Sequence, residues 1–296
     1  MPRIRIPIYV AVRAALRVAA ISCWCVAPAA VPAQEPDWTQ PVEPFRIAPG
    51  IFYVGTHGLA AYLITSKDGA ILVDGTVAEN APLIERNIES VGVPLKQVKL
   101  IVTDHAHYDH VGAVAQIKRD AGARVAASAG DAGALRRGMP RGDTNYPATA
   151  FAPITINQIV ADGQSVAVGD AVVTAHLTPG HTPGCASWST TVTDGNRPLH
   201  VLFLCSITVA GNVLVGNRAY PGIAADFEKT FAKLSAMQAD IVLPSHPGVA
   251  DVLGREVRVR AGDTNAFIDP AALPAIVAQS KADFEAALAQ AQKAAR

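Results

Sequence analysis

Thr103-Asp-His-Ala-His-Tyr-Asp-His-Val-Gly112 is the stretch of this 296-residue sequence that decides its fold. It places three histidines and two aspartates within seven positions, directly after the apolar run 98–102. Imidazole nitrogens and carboxylate oxygens are ligands that zinc accepts in near-tetrahedral sites. One ion cannot use all of these groups from so short a loop, whereas two ions can share them. A lone histidine is more often an ordinary polar residue, but this density predicts a dinuclear metal site.

Short strands and helices alternate on both sides of this loop. Before it, segments 51–55, 61–65 and 70–74 have the β-rich composition of a strand meander, and helical spacing follows over 80–90. The other predicted elements are a strand at 98–103, a helix at about 112–120, strands at 171–177, 186–192 and 199–204, a helix around 227–234, a strand at 241–243 and a helix over 271–294. Each half repeats strands followed by helices. This order predicts an α/β fold, a four-layer αββα sandwich, as a single domain over residues 34–296.

Residues 1–33 are predicted to be a signal peptide that lies outside this domain. Arginines precede the apolar run 18–26, and Val31-Pro-Ala33 offers the small residues of a signal-peptidase site. The apolar run is too short to span a bilayer, which needs roughly 20 apolar residues. Lipid anchoring at Cys23 is a weaker alternative. We therefore expect a periplasmic or secreted protein with no membrane attachment after removal of the signal.

Charge and cysteine content narrow the class further. The 25 basic and 25 acidic side chains balance, which argues against a nucleic-acid partner. After loss of the signal only Cys185 and Cys205 remain. Two thiols in an oxidising compartment favour a disulfide, which would close a loop of about 20 residues and contribute about 3 kcal/mol. The alternatives are two buried free thiols, or Cys205 as a zinc ligand.

The metal-binding loop resembles a known family signature. His105-Ala-His107-Tyr-Asp109-His110 matches the H-x-H-x-D-H motif of the metallo-β-lactamase superfamily. Further matching segments are Leu72-Val-Asp74-Gly, Thr178-Pro-Gly-His181-Thr-Pro-Gly184 and Pro244-Ser-His246-Pro, so the resemblance spans about residues 45–270.

The resemblance implies a role for each of these residues. It places His105, His107 and His181 on a first Zn²⁺, and Asp109, His110 and His246 on a second. Asp74 would orient a ligand or the loop backbone without binding metal. The other interpretation of Asp74 is a turn residue in an Asp-Gly pair.

The segment after the third motif resembles one subclass in particular. Residues 196–225 contain no Asp or Glu, and Ser206 stands where relatives have a bridging aspartate or a cysteine ligand. This is similar to the third subclass of class B β-lactamases, which also implies a Cys185–Cys205 disulfide. The hydroxyls of Ser206 and Thr208 are then expected to hold the substrate carboxylate. The alternative for both is ordinary polarity at a strand end.

The resemblance implies zinc-dependent hydrolysis of the β-lactam ring of penicillins, cephalosporins or carbapenems. A metal-bound hydroxide would be the nucleophile, and Asp109 would orient it as well as bind zinc. The partner is then a small-molecule β-lactam, and the protein is expected to be a monomer. A lactonase or thioesterase of the same fold and a non-catalytic periplasmic zinc-binding protein are the alternatives. The loops 55–60 and 151–158 are expected to decide substrate preference.

Overall fold

The structure is a computed structural model that describes residues 36–145 and 148–296. The predicted signal peptide and its cleavage site lie outside the described residues. Residues Gln34–Arg296 group into one compact unit. No helix among the described residues is both long and apolar enough to cross a bilayer.

Two sheets form the centre of this unit. The first contains seven strands in sequence order: β1 (Phe45–Ala48), β2 (Ile51–Tyr53), β3 (Tyr62–Ser66), β4 (Gly69–Val73), β5 (Val98–Val102), β6 (Arg124–Ser128) and β7 (Gln158–Val160). Strands β1–β4 pair antiparallel, and β4–β7 pair parallel.

The second sheet contains five strands. They are β8 (Ser165–Val168), β9 (Ala171–Leu177), β10 (Ala186–Asp194), β11 (Arg197–Leu204) and β12 (Ile241–Pro244), arranged as β12-β11-β10-β9-β8. Pairing is antiparallel except between β11 and β12, which run parallel.

Most helices lie on the outer faces of the two sheets, whereas Val252 of the helix Val252–Arg260 joins the buried cluster between the sheets. The helices are α1 (Ala81–Ser90), α2 (Tyr108–Val111), α3 (Val114–Ala121), α4 (Ala129–Arg137), α5 (Ile223–Ser235), α6 (Val252–Arg260) and α7 (Ala272–Ala294). Ile84 of α1 and Ile117 of α3 share a buried cluster with Leu72 of the first sheet. Phe227 of α5 and Phe284 of α7 belong to a cluster with strand β11 of the second sheet.

A third buried cluster lies between the sheets and completes the four layers. It includes Tyr62 and Val102 of the first sheet and Trp188 and Phe203 of the second. One sheet contributes to two buried clusters because successive side chains along a strand point to opposite faces of the sheet. On β11, Phe203 faces the other sheet and Leu204 faces the helices. The predicted αββα sandwich is confirmed.

The elements absent from the sequence prediction include β1, β7, β8, α2, α4 and α6. Helix α4 contains two glycines and few large apolar residues, so its sequence lacks a helical stripe. It forms because Ser128 caps its first turn and Leu135 is buried. In α6 the valines at 257 and 259 alternate as they would in a strand, and Val257 is 66% exposed.

Candidate metal centre

The predicted site residues lie in loops that directly follow three strands, at one edge of the sheets. The loop after β5 carries the His105–His110 segment, the loop after β9 carries His181, and His246 follows β12. Open α/β sheets commonly bind ligands beyond the carboxyl ends of their strands. Both sheets therefore contribute to one cluster of imidazoles.

The first group of candidate ligands consists of His105, His107 and His181, whose ligand atoms lie within 4.8 Å of one another. Nε2 of His181 lies 3.1 Å from Nδ1 of His107. The ring centroids of His105 and His181 are 4.6 Å apart. Two nitrogens bound tetrahedrally to one zinc ion lie roughly 3.3 Å apart, given bonds of about 2.0 Å. The spacing of this group suits a single zinc ion.

The second group consists of Asp109, His110 and His246, which also lie within 4.8 Å of one another. Nε2 of His110 lies 3.2 Å from Nε2 of His246. Oδ2 of Asp109 lies 3.1 Å from the His110 nitrogen and 3.5 Å from the His246 nitrogen. One carboxylate oxygen and two imidazole nitrogens thus converge on a common point. The structure brings all six predicted ligand residues together.

Hydrogen bonds on the outer ring nitrogens leave the inner nitrogens available. Nδ1 of His181 donates to the Thr208 carbonyl at 2.8 Å, and Nδ1 of His105 lies 2.9 Å from Asp104 Oδ1. A neutral imidazole that donates from one nitrogen presents a lone pair on the other. Nε2 of His105 is buried and has no hydrogen-bond partner among the described residues. Such an orphaned atom costs about 1–3 kcal/mol, which a metal ion would relieve, so the residues fit a metal.

Burial keeps three of these imidazoles neutral. It lowers the pKa of His107 to about 3 and the pKa of His246 to about 4, and it holds the pKa of His181 well below its ordinary value. Burial alone would also lower the pKa of His110, but the Asp109 carboxylate raises it above the ordinary value. The pKa of Asp109 lies well below its usual range because the His110 ring outweighs the effect of burial.

Two buried carboxyl groups support the metal-binding loop: Asp74 lies behind it and Asp104 is part of it. Oδ1 of Asp74 accepts a hydrogen bond from the Asp104 amide at 2.9 Å, so Asp74 contacts the loop backbone. Burial, followed by the Asp104 carboxylate, raises the pKa of Asp74 well above its ordinary value. Burial would raise the pKa of Asp104 too, but the rings of His105 and His110 lower it. Asp104 is therefore the ionised partner, and it faces the His105 ring.

A disulfide lies beneath the first group. Cys185 and Cys205 are bonded and fully buried, 20 positions apart. Sγ of Cys205 lies 3.7 Å from Nδ1 of His105. A disulfide sulfur carries no thiolate charge, so the alternative in which Cys205 binds zinc does not apply to this structure. The predicted disulfide is confirmed.

The two predicted substrate-binding hydroxyls lie on the loop after β11. Ser206 is partly buried, and its Oγ lies 3.2 Å from Oγ of Ser245, the residue before His246. Thr208 is exposed, and its carbonyl is the acceptor for His181. Ser206 therefore lies beside the residue that precedes His246, and the backbone of Thr208 contacts His181.

Trp38, near the start of the described residues, packs beside the second group of candidate ligands. The Trp38 ring centroid lies 6.3 Å from that of His246 and 5.9 Å from that of Tyr108. His57, in the loop 55–60 that is expected to influence substrate preference, is half exposed, and its Nδ1 lies 3.6 Å from Asp37 Oδ2. By contrast, Phe151 is buried and its amide bonds to Gly138 at the end of α4. That part of the predicted specificity loop packs into the fold.

Sequence reasoning missed four residues that support the centre: Asp104, Asp131, Asn212 and Ser245. Asn212 is buried, and its amide donates to the His181 carbonyl at 3.1 Å. Asp131 accepts a hydrogen bond from Ala106, between two candidate ligands, at 2.9 Å. Asp104 lies inside the metal-binding loop, which was a usable signal. Ser245 lies within the matching segment Pro244-Ser-His246-Pro, but no role was predicted for it. Asp131 and Asn212 belong to no motif, because their roles depend on contacts between distant segments.

Comparison with known proteins places these features in a family. A family model described as the metallo-beta-lactamase superfamily matches residues 55–246. The chain is similar to BJP-1, a subclass B3 metallo-beta-lactamase of Bradyrhizobium japonicum, with 40% identity over 88% of this chain and 99% of that chain, and a TM-score of 0.84. MEM-A1, a subclass B3 metallo-beta-lactamase from a soil metagenome library, is 34% identical over 88% of this chain and 100% of that chain, with a TM-score of 0.83.

Two further proteins are similar to this chain, one over nearly its whole length and one over less than half of its length. Native FEZ-1 metallo-beta-lactamase from Legionella gormanii is 32% identical over 86% of this chain and 98% of that chain, with a TM-score of 0.81. A curated relative, the type A flavoprotein fprA of Rhodobacter capsulatus, is 26% identical over 209 residues, or 64% of this chain. The chain spans only 44% of the length of that flavoprotein.

Proposed function

Because this chain belongs to the metallo-β-lactamase superfamily, we propose that it is a dinuclear zinc hydrolase that opens the β-lactam ring of antibiotics. The observation that carries the proposal is the convergence of two three-residue groups of candidate ligands, whose His105 and His110 ring centroids are 4.2 Å apart. The overall similarity to three metallo-beta-lactamases, at 32–40% identity over nearly their whole length, supports the choice of substrate class.

The proposed ligand sets each have three protein groups. His105, His107 and His181 would hold one Zn²⁺, and Asp109, His110 and His246 the other. Three protein ligands leave a coordination position for water or substrate, whereas a closed structural zinc site usually has four. The chemistry that two bound zinc ions supply is activation of a water near neutral pH and polarisation of a carbonyl.

The chain's own residues then orient the reactants. Asp109 is ionised at neutral pH and would accept a hydrogen bond from the attacking water, which fixes its direction. Ser206 and Thr208 would donate hydrogen bonds to the carboxylate of the lactam. Hydrogen bonds from hydroxyls to a carboxylate are charge-assisted and stronger than neutral ones. Asp74 would hold the loop backbone through Asp104.

The proposal also covers the location, the oligomeric state and the partner of the protein. Residues 1–33 would be removed as a signal peptide, and the mature chain would act as a monomer in the periplasm or outside the cell. Its partner would be a small-molecule β-lactam, with no nucleic acid and no membrane attachment after removal of the signal.

The test is hydrolysis of a chromogenic cephalosporin and a carbapenem by the purified mature chain. We expect turnover that a chelator abolishes and added Zn²⁺ restores, with about two zinc ions per chain by elemental analysis. A chain that holds two zinc ions but opens neither ring would contradict the proposed substrate. Ester or thioester turnover would then indicate a lactonase or thioesterase, and no turnover of any of these would indicate a zinc-binding protein.

A further inference from the structure

Asp131 is a buried carboxylate to which the proposed reaction assigns no role. It lies in the first turn of α4 and is 2% exposed. Its Oδ2 accepts hydrogen bonds from the Ala106 amide at 2.9 Å and from the Thr182 hydroxyl at 2.7 Å. Its Oδ1 accepts one from the Gly184 amide at 2.9 Å. A single side chain thus joins three backbone or side-chain donors from two distant loops.

The positions of these donors matter because they flank the first ligand group. Ala106 lies between His105 and His107, and Thr182 directly follows His181. Asp131 therefore links the two loops that together provide this group, and within the part of the chain that the structure describes its carboxylate makes no hydrogen bond to the rings of the three ligands. A change in the Asp131 side chain would alter the spacing between those loops before it altered any ligand itself.

The helix that carries Asp131 is held rigidly against the second loop. A Cβ atom added at Gly184 would lie 2.1 Å from the Asp131 nitrogen, and one added at Gly130 would lie 2.3 Å from the Pro183 carbonyl oxygen. The Ser128 hydroxyl accepts from the Asp131 amide and donates to the Gly184 carbonyl. The backbones of the helix and the loop are therefore in direct contact, which leaves little room for the Asp131 carboxylate to move relative to the His181 loop.

The chemistry of the contact requires a carboxylate. All three partners are donors, and an ionised carboxylate is an acceptor at both oxygens, whereas an amide presents an N–H₂ group on one side. An asparagine at 131 would therefore point donors at the Gly184 amide or at Ala106 and Thr182. Burial raises the pKa of Asp131, and these three donors oppose that rise.

We propose that Asp131 is a positioning residue for the first metal: it sets the distance between the His105–His107 loop and His181, and thereby the zinc affinity of that group. The inference rests on the proposed function only in requiring that the chain bind zinc. Groups that orient metal ligands from outside commonly change metal affinity by 10- to 100-fold when removed.

The experiment compares the dissociation constants for zinc of the wild type, Asp131→Asn and Thr182→Val, each by competition with a chromogenic chelator. The matched control is Asp240→Asn. Asp240 also links two segments, through the His200 amide at 2.8 Å, but it lies at the end of β12 opposite His246. Unfolding of the zinc-free proteins by urea is measured in parallel, which separates loss of fold from loss of affinity.

We expect Asp131→Asn to weaken binding of one of the two zinc ions by at least about tenfold and Thr182→Val to weaken it less, with no change in Asp240→Asn. Thr182→Val removes one donor of three, so it keeps the test open if Asp131→Asn fails to fold. Unchanged zinc affinity in a folded Asp131→Asn or, failing that, in Thr182→Val would overturn the inference. A wild type that binds two zinc ions but hydrolyses no lactam would refute only the proposed function.

Discussion

At the scale of single residues, burial prepares the imidazoles for metal binding. His107, His181 and His246 have pKa values below their ordinary value chiefly because charging a buried ring is costly. Zinc competes with protons for the same nitrogen lone pairs. A ring that is already neutral loses no proton when it binds. At neutral pH these three residues therefore need no deprotonation before a metal enters.

The hydroxyls of Ser206 and Thr208 provide a residue-scale prediction. Replacing both with alanine should raise the Michaelis constant for a lactam by at least about tenfold, since each lost charge-assisted hydrogen bond is worth roughly 1.5 kcal/mol or more. The zinc content should stay unchanged, because the Thr208 group that contacts His181 is its carbonyl, which the substitution retains. Steady-state kinetics and elemental analysis test both parts, and a variant that loses zinc would contradict this assignment.

At the scale of elements, the contact between α4 and the His181 loop depends on small residues. Gly130 and Gly184 allow the helix and the loop to meet without side chains between them. Ser128 caps the helix at the point of contact and also bonds to the loop. The absence of side chains there is what weakened the helical pattern of α4 in the sequence. The same glycine that weakens the helical sequence pattern of α4, Gly130, allows the helix to pack closely against the loop.

Gly184→Ala tests this packing. The new methyl group would lie 2.1 Å from the Asp131 nitrogen and 2.4 Å from the Ser128 hydroxyl oxygen, so the backbone must shift. We expect a loss of about 1–3 kcal/mol in the free energy of unfolding, as for other overpacked sites. Gly248→Ala is the control, because nothing lies within 4 Å of a Cβ at that exposed position. Urea unfolding of both variants gives the comparison, and equal stabilities would count against the tight contact.

At the scale of the whole molecule, the metal centre joins the two sheets. Four of the proposed ligands follow β5 of the first sheet, while His181 and His246 follow β9 and β12 of the second. The buried cluster that includes Tyr62 and Trp188 already holds the sheets together. Bound metal would add a second link at their edge. A ligand that binds only the folded state raises its stability.

Removal of zinc should therefore lower the melting temperature. Zinc at a thousand times its dissociation constant contributes about 4 kcal/mol per site, which corresponds to roughly 8–16 °C for a domain of this size. Calorimetry of the zinc-loaded and chelated protein provides the measurement. Magnesium, which prefers oxygen ligands, should not restore the higher value. Identical melting temperatures with and without zinc would rule out a link of this strength.

Features that depend on residues close together in the sequence were predicted, whereas features that depend on contacts between distant segments were not. The six candidate ligands were found because four lie in one loop and the family motifs mark His181 and His246. The sheets were predicted from apolar runs that are local in sequence. Asp131 and Asn212 were missed because their partners lie in other segments of the chain. The partners of Asp131 are 25 to 53 positions away, and His181, the partner of Asn212, is 31 positions away. No local pattern encodes such a contact.

The order of the ligands along the chain has a consequence for biosynthesis. The first ligand, His105, and the last, His246, are separated by about 140 residues, which a ribosome adding 5–20 residues per second needs about 7 to 28 s to make. During that time the nascent chain displays the His105–His110 segment without its later partners. A metal captured then would meet an incomplete set of donors. The complete set of donors exists only after His246 has been made and has folded beside the earlier ligands.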